Sequence, residues 1–323
     1  MSSSLPLKIA FMVGEFPHFG PYVIDQVAGL LDRGASIQVY SLHYGDNNNV
    51  TNLYDKHKME KIVRYLDMPK NWLVRIVAAL PKLIKIALLR PRWLPAIFNF
   101  KKYGANSYSL RLIFWLSPWL GREKDFDLIH CHFGTVANKF LIIREIIGLK
   151  QPLITTFYGY DASHILKQKG AHYYDQLIKV SKAFIVMSNN MKERLVAYGF
   201  PPEKVDVLPV SIPVEEYPFR ERSLETGQLP ALCSVGRFVE KKGFDDLLRA
   251  ISLVKKDRPN GFTCEIIGGG PLESVLKNQA KELDLEDTVK FLGYKKIEEI
   301  VPWLVTKDLF IQPSKTASDG DME

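Results

Sequence analysis

The chain has 323 residues, 46% of them hydrophobic and 24% charged, with a net charge of +7. That balance excludes a disordered or low-complexity chain and leaves room for two domains, each with its own core. The three cysteines, Cys131, Cys233 and Cys264, fall in no CxxC or Cys/His spacing, which excludes a zinc site and a disulfide scaffold and fits a reducing cytoplasm.

Leu7 to Val13 reads as a short buried parallel strand closed by Gly14, and this apolar run is too short for a secretory signal. Glu15 to Pro21 follows as a loop that holds His18 and Gly20. Tyr22 to Arg33 reads as an amphipathic helix stopped by Gly34, and Ile37 to Leu42 as a second strand. This βαβ opening predicts an α/β fold. A nicotinamide-binding enzyme is disfavoured, because no G-x-G-x-x-G follows Val13 and no acid closes the second strand to hold a ribose.

Met68 to Arg122 contains no Asp or Glu but ten Lys and Arg, so the remainder of the chain carries a net −3. Trp72, Trp93, Trp115 and Trp119 are spread among its Leu and Ile residues. No part reaches the ~20 uninterrupted apolar residues of a spanning helix. Pro81, Pro91, Pro95 and Pro118 are expected to divide it into short pieces. Apolar faces backed by cations predict contact with an anionic membrane surface, at about 1 kcal/mol per cation. The alternative is an insertion that packs on the first domain with its cations solvated. Nucleic acid is not an expected partner, since no DNA- or RNA-reading motif accompanies the charge.

Asp127 to His130 reads as a strand, Cys131 to Gly134 as its loop and Val136 to Ile147 as the helix after it. A strand from Pro152 to Phe157 leads into Tyr158-Gly-Tyr-Asp161, and one from Ala183 to Val186 into a helix capped by Ser188 or Asn189. Glu215 to Gln228 is polar without an apolar period. The expected division is therefore a first domain at 1–215 with the basic insertion at 68–122, a linker at 216–229 and a second domain at 230–323.

In the second domain a strand, Ala231 to Val235, ends at Gly236, two cations follow five residues apart at Arg237 and Lys242, and Gly243 opens a helix. Such a turn lies at the carboxyl edge of a parallel sheet, where a helix N-terminus suits phosphate. The strand Thr263 to Ile267 runs into Gly268-Gly269-Gly270-Pro271 and another helix. Val289-Lys-Phe-Leu-Gly293, a helix near Glu298 to Val305, a strand Leu309 to Gln312 and the tail Pro313-Ser-Lys-Thr-Ala-Ser-Asp-Gly-Asp-Met-Glu323 complete the chain.

The VGR…KKG turn, the IIGGGP turn, the FLGY segment and the IQPS…DGDME tail, in this order and spacing, resemble the donor-binding domain of family 4 retaining glycosyltransferases. The tail is most similar to the exopolysaccharide branch that makes colanic acid and amylovoran. The resemblance implies the GT-B fold: α/β, two doubly wound Rossmann-like domains facing across a cleft, the second incomplete here. It implies donor contacts at Gly20, Gly236, Gly268, Gly269, Gly270, Leu292 and Tyr294, with the base met near Leu292 to Tyr294. On the acceptor side it implies His132, Tyr158, Gly159 and Asp161. Many relatives have His where this chain has Tyr158, and a tyrosine is a poor general base near neutrality, so His132 is the better polar candidate for a catalytic role, the alternative being a satisfied loop histidine. The family's tail continues to a second Glu, so Glu323, which would contact hydroxyls of the donor sugar, is the first of a pair, and a C-terminally truncated chain is expected.

The function expected is transfer of a hexose from a nucleotide-diphosphate sugar to a lipid-linked saccharide, with anomeric retention, at the inner face of the cell membrane. Catalysis is expected to need no metal and no cofactor. Arg237 and Lys242 would neutralise the departing diphosphate. The rival expectation is an inactive remnant that binds a sugar nucleotide or a partner without turnover.

Overall fold

The computed structural model describes residues 6–17, 21–45, 52–122, 125–211, 214–219, 221, 223–225, 227–259 and 261–322. The chain divides into two compact units, Met1–Val210 and Ser211–Glu323.

The first unit is built on a seven-stranded sheet. In chain order the strands are β1 (Lys8–Phe16), β2 (Ser36–Tyr44), β3 (Val63–Tyr65), β4 (Leu128–His132), β5 (Leu153–Thr156), β6 (Ala183–Val186) and β7 (Val205–Val207). They lie in the order β3-β2-β1-β4-β5-β6-β7, every neighbouring pair parallel. Winding runs outward in both directions from β1 and β4, and ligands of such sheets collect where the order switches, outside the carboxyl ends. Both faces are covered, which is why β1 and β2 read as continuous apolar runs. On one face Ile9, Phe11 and Val13 pack with Val23, Ile24 and Val27 of the helix Pro21–Asp32. On the other, Met12, Tyr40 and Ile129 join Phe140 and Ile143 of the helix Gly134–Ile147 in the larger core.

The acid-free segment adds to that larger core. Trp93 and Trp119 are fully buried and Trp115 nearly so, and Trp119 stacks on Tyr40 with ring centroids 3.9 Å apart. Pro81 does not break the segment as expected. It sits inside an 18-residue helix, Trp72–Leu89, whose start is capped by Asn71 accepting from the Val74 amide at 3.2 Å. Burial of Ala79 and Ile86 against the unit holds the helix across the missing N–H. No helix among the described residues is long and apolar enough to cross a membrane.

The second unit carries a four-stranded parallel sheet: β8 (Ala231–Val235), β9 (Thr263–Ile267), β10 (Val289–Gly293) and β11 (Leu309–Phe310), in the order β10-β9-β8-β11. Its core gathers Phe238, Phe244, Leu248, Ile266 and Leu276. The order switches between β8 and β11.

Candidate functional site

At the switch of the first sheet, β4 runs two residues further than its apolar pattern suggested, so His132 is its last strand residue, not part of the loop. It pairs in register with Thr156, and its side chain is fully buried. The ring stacks on Phe11 and on His130, at centroid distances of 5.0 and 4.5 Å. Its Nδ1 lies 2.7 Å from the Tyr158 hydroxyl, and its Nε2 is buried with no partner among the described residues. Burial, reinforced by neighbouring His130, holds the His132 pKa well below its ordinary value, so the ring is neutral at working pH. Burial alone takes His130 down to about 4, and its Nε2 meets the Thr156 hydroxyl at 2.7 Å.

Two loops meet beyond these strands. Phe133 takes a left-handed φ of 72°, and Gly134 starts the next helix. A Cβ at Gly134 would lie 2.4 Å from the Phe157 ring and 2.8 Å from Tyr174, so only glycine lets the two loops close. Asp161 is fully buried between them. Its carboxylate accepts from the amides of Gly134 at 2.7 Å, Tyr158 at 3.0 Å and Gly159 at 3.2 Å. Burial pushes this carboxyl up to about 6 against the downward pull of those hydrogen bonds. Asp161 therefore fixes the backbone of the β4 and β5 loops, and Tyr158 is the group it presents. The Tyr158 ring packs on Tyr22 and Phe133, and burial raises its pKa far above the ordinary phenol value.

At the switch of the second sheet the loops after all four strands lock together. Gly236 N donates to Ile267 O, Phe238 N to Gly269 O, Gly268 N to Gly293 O and Lys315 N to Lys241 O, at 2.9 to 3.0 Å. The glycines are needed for close approach. A Cβ at Gly268 would lie 1.9 Å from the Gly236 carbonyl, one at Gly270 2.8 Å from the Phe238 carbonyl, and one at Gly243 1.9 Å from the Pro313 carbonyl. Gly269 has room.

The cations of this edge fall into two groups. Lys241 pairs with Asp321 at 3.2 Å, both about 15% exposed, and Lys315 reaches Asp245 and Asp246 at 2.7 Å each. Asp245 and Asp246 occupy the first turn of the helix Phe244–Asp257, so the helix start expected to attract phosphate already carries its own carboxylates. Arg237, by contrast, is exposed and enters no ion pair among the described residues. The aliphatic stem of Lys242 lies over Gly236, within 3.5 Å of where a Cβ would stand, beside the end of β8. Tyr294 is 65% exposed just past β10, and Leu292 is half-buried within it. Gly20, His18 and Glu323 lie outside the described residues. Among those described, no group of three or more His, Cys, Asp or Glu side chains could hold a metal ion.

Sequence reading missed Lys241, Lys315 and Asp321 as partners. The signal available was the alternation of acid and base in Glu240-Lys-Lys and in the tail, which gives no pairing by itself.

This fold is shared with glycosyltransferases of known structure. Anabaena Alr3699/HepE, solved in complex with UDP-glucose, superposes with a TM-score of 0.60 at 17% identity, over 97% of this chain and 75% of that one. The fold is that of the GT-B glycosyltransferases. Residues 20–216 match the family described as Glycosyltransferase Family 4, and residues 217–320 match Glycosyl transferases group 1. The amylovoran biosynthesis glycosyltransferase AmsK of Erwinia amylovora is 32% identical over 98% of this chain and 78% of its own length. The putative colanic acid biosynthesis glycosyltransferase WcaL of Salmonella typhimurium is 28% identical with the same coverage. The chain belongs to glycosyltransferase family 4.

Proposed function

We propose that this protein transfers a hexose from a nucleoside-diphosphate sugar to a lipid-linked saccharide in exopolysaccharide assembly, with the anomeric configuration retained, at the inner face of the cell membrane. The relatives named for amylovoran and colanic acid synthesis support the pathway class, and the neighbour that binds UDP-glucose supports the donor class. The observation that carries the reading is Arg237: at the switch of the second sheet Lys241 and Lys315 are tied to carboxylates, while Arg237 is exposed and meets none among the described residues.

In this reading Arg237 and Lys242 take the diphosphate, and the glycine-lined backbone at Gly236 and Gly268 to Gly270 lets it approach closely. Leu292 and Tyr294 stand at the base end, and Gly20 and Glu323 keep the roles implied by the family likeness. The bond from the anomeric carbon to the leaving phosphate oxygen breaks. An acceptor hydroxyl attacks the same face, and its proton passes to that phosphate oxygen. Fixed cations stabilise the charge that develops on the diphosphate, so no metal is required of the mechanism. His132 is too buried to take the acceptor proton. It positions the Tyr158 hydroxyl, which with the Gly159 backbone meets the acceptor, while Asp161 holds the loop.

The test is transfer from labelled UDP- and GDP-hexoses into membrane lipid extract, by the wild type and by Arg237→Ala. Unchanged transfer by the variant removes Arg237 from the mechanism. Nucleotide binding by the wild type without transfer marks a binding protein, not an enzyme.

A further inference from the structure

The helix Trp72–Leu89 is apolar on two opposite sides. Ala79, Leu83 and Ile86 face the core, as their burial and packing show. On the far side Leu73, Val77, Leu80, Ile84 and Leu88 recur at helical spacing and are 73, 73, 59, 53 and 77% exposed. A stripe of five large apolar side chains left in water is a contact face. Along one flank, between this stripe and the core, lies a surface cavity of about 460 Å³ lined by Arg64, Tyr65, Lys82, Lys85, Ser117 and Pro118 among others, none of them acidic. The three cations enter no ion pair among the described residues. Arg64 donates to the Gln38 side chain, and Lys82 lies over the Phe114 ring at 5.7 Å. Lys82 and Lys85 fall three residues apart on the flank turned toward Arg64.

We propose that this cavity binds the phosphate of an anionic membrane lipid, with the Leu73–Leu88 stripe seated in the acyl region beside it. An apolar strip with a cationic recess at its margin matches the two layers of a membrane surface, hydrocarbon below and phosphate above. A protein partner would not call for three cations in one recess with no acid beside them, nor for the acid-free surroundings from Met68 to Arg122. The proposal rests on the membrane-side reading of the function and gives it a site within the first unit.

The experiment measures binding of the full chain to phosphatidylglycerol–phosphatidylcholine vesicles and to phosphatidylcholine alone. Lys82→Gln/Lys85→Gln is compared with Arg92→Gln/Lys101→Gln, which removes the same charge from the same segment away from the cavity, and circular dichroism checks the fold of each. Bulk attraction of two cations accounts for roughly 30-fold in affinity. The cavity pair is expected to lose at least about tenfold more than the control pair, and Lys82→Arg/Lys85→Arg to keep binding. Leu73→Ser/Val77→Ser should lose binding to both vesicle types. Equal losses by the two charge pairs overturn the cavity in favour of diffuse attraction. Saturation by inorganic phosphate without vesicle binding overturns the lipid as its source. Donor turnover followed in parallel separates a failure here from a failure of the transferase reading, since vesicle binding needs no sugar nucleotide.

Discussion

At the carboxyl edge of the first sheet the polar groups are buried, two neutral imidazoles beside one carboxylate. His132 is stacked on Phe11 and His130, both imidazoles are buried, and Asp161 is spent on three backbone amides. At the carboxyl edge of the second the groups are charged and lie near the surface. There the tail after β11 ties down Lys241, while Arg237 enters no ion pair among the described residues. The first arrangement fixes shape, because a buried hydrogen-bonded network in low dielectric has one satisfied geometry. The second holds charge in reserve, and a free guanidinium gains most when an anion arrives. Shape suits selection among sugar hydroxyls, whereas reserve charge suits a diphosphate whose negative charge grows as the sugar leaves.

The largest expected effect lies on the charged side. Arg237→Ala should lower kcat for transfer by about 10²–10³-fold, the usual worth of one preorganised group on a developing anion, with little change in thermal stability because no described residue pairs with it. Steady-state kinetics alongside a thermal melt checks both halves. A variant that melts much earlier but turns over normally would make Arg237 structural and erase the contrast.

On the buried side the expected effect is on folding. Asp161→Ala strands three inward amides, at about 1–3 kcal/mol for each buried donor left unmet, so the first unit should lose at least about 3 kcal/mol. Urea unfolding measures it. A loss under 1 kcal/mol would mean that water replaces the carboxylate and the loops are not held as described.

The buried histidines predict an acid limb. The folded His130 pKa is about 4 against an ordinary 6.5, so the unfolded chain binds the proton first. Stability is then full above pH 6.5 and falls as pH drops toward 4, by a limit of about 3 kcal/mol. Asp161, raised from 3.8 to about 6, works in the opposite sense: its contribution is present below pH 3.8 and lost as pH rises through 6. His132, displaced the same way as His130, tips the balance toward acid lability. In His130→Gln the decline in urea midpoint between pH 7 and 5 should shrink. An unchanged decline would place the sensitivity elsewhere.

Much of the frame was legible in the chain. β6, β8, β9 and β10 stand where apolar runs stop at Gly or at polar turn residues, because a buried parallel strand has nothing but such a run to mark it. β1 outran its expected stop at Gly14 because pairing with β2 continues through Glu15↔His43 and Phe16↔Tyr44, a partner that local pattern does not contain. β3 was missed, since Val63–Tyr65 is three half-buried residues with no period. Arg237 and the glycine triplet announced themselves through spacing. The duty of Asp161 did not, as one of its partners, the Gly134 amide, is 27 residues away and has no side chain to signal it.

The smallest effect sharpens the division among the cations themselves. Lys241 and Asp321 are each about 15% exposed, more sheltered than a surface pair and wetter than a core one, and the segment 313–322 also holds on through the Lys315 amide on the Lys241 carbonyl and Ser318 on Glu240. Lys241→Met keeps the stem and removes the charge, leaving Asp321 partly buried without its cation, so a cost of about 1–2 kcal/mol is expected, between the exposed and buried limits. Because the loss is confined to the docked tail, it should show as faster hydrogen exchange at the amides of Lys315 and Ala317, with β8 and β9 unaffected. Arg237→Ala should leave those amides as slow as in the wild type. If both variants free the tail equally, the paired and unpaired cations belong to one network, and Arg237 is not held in reserve.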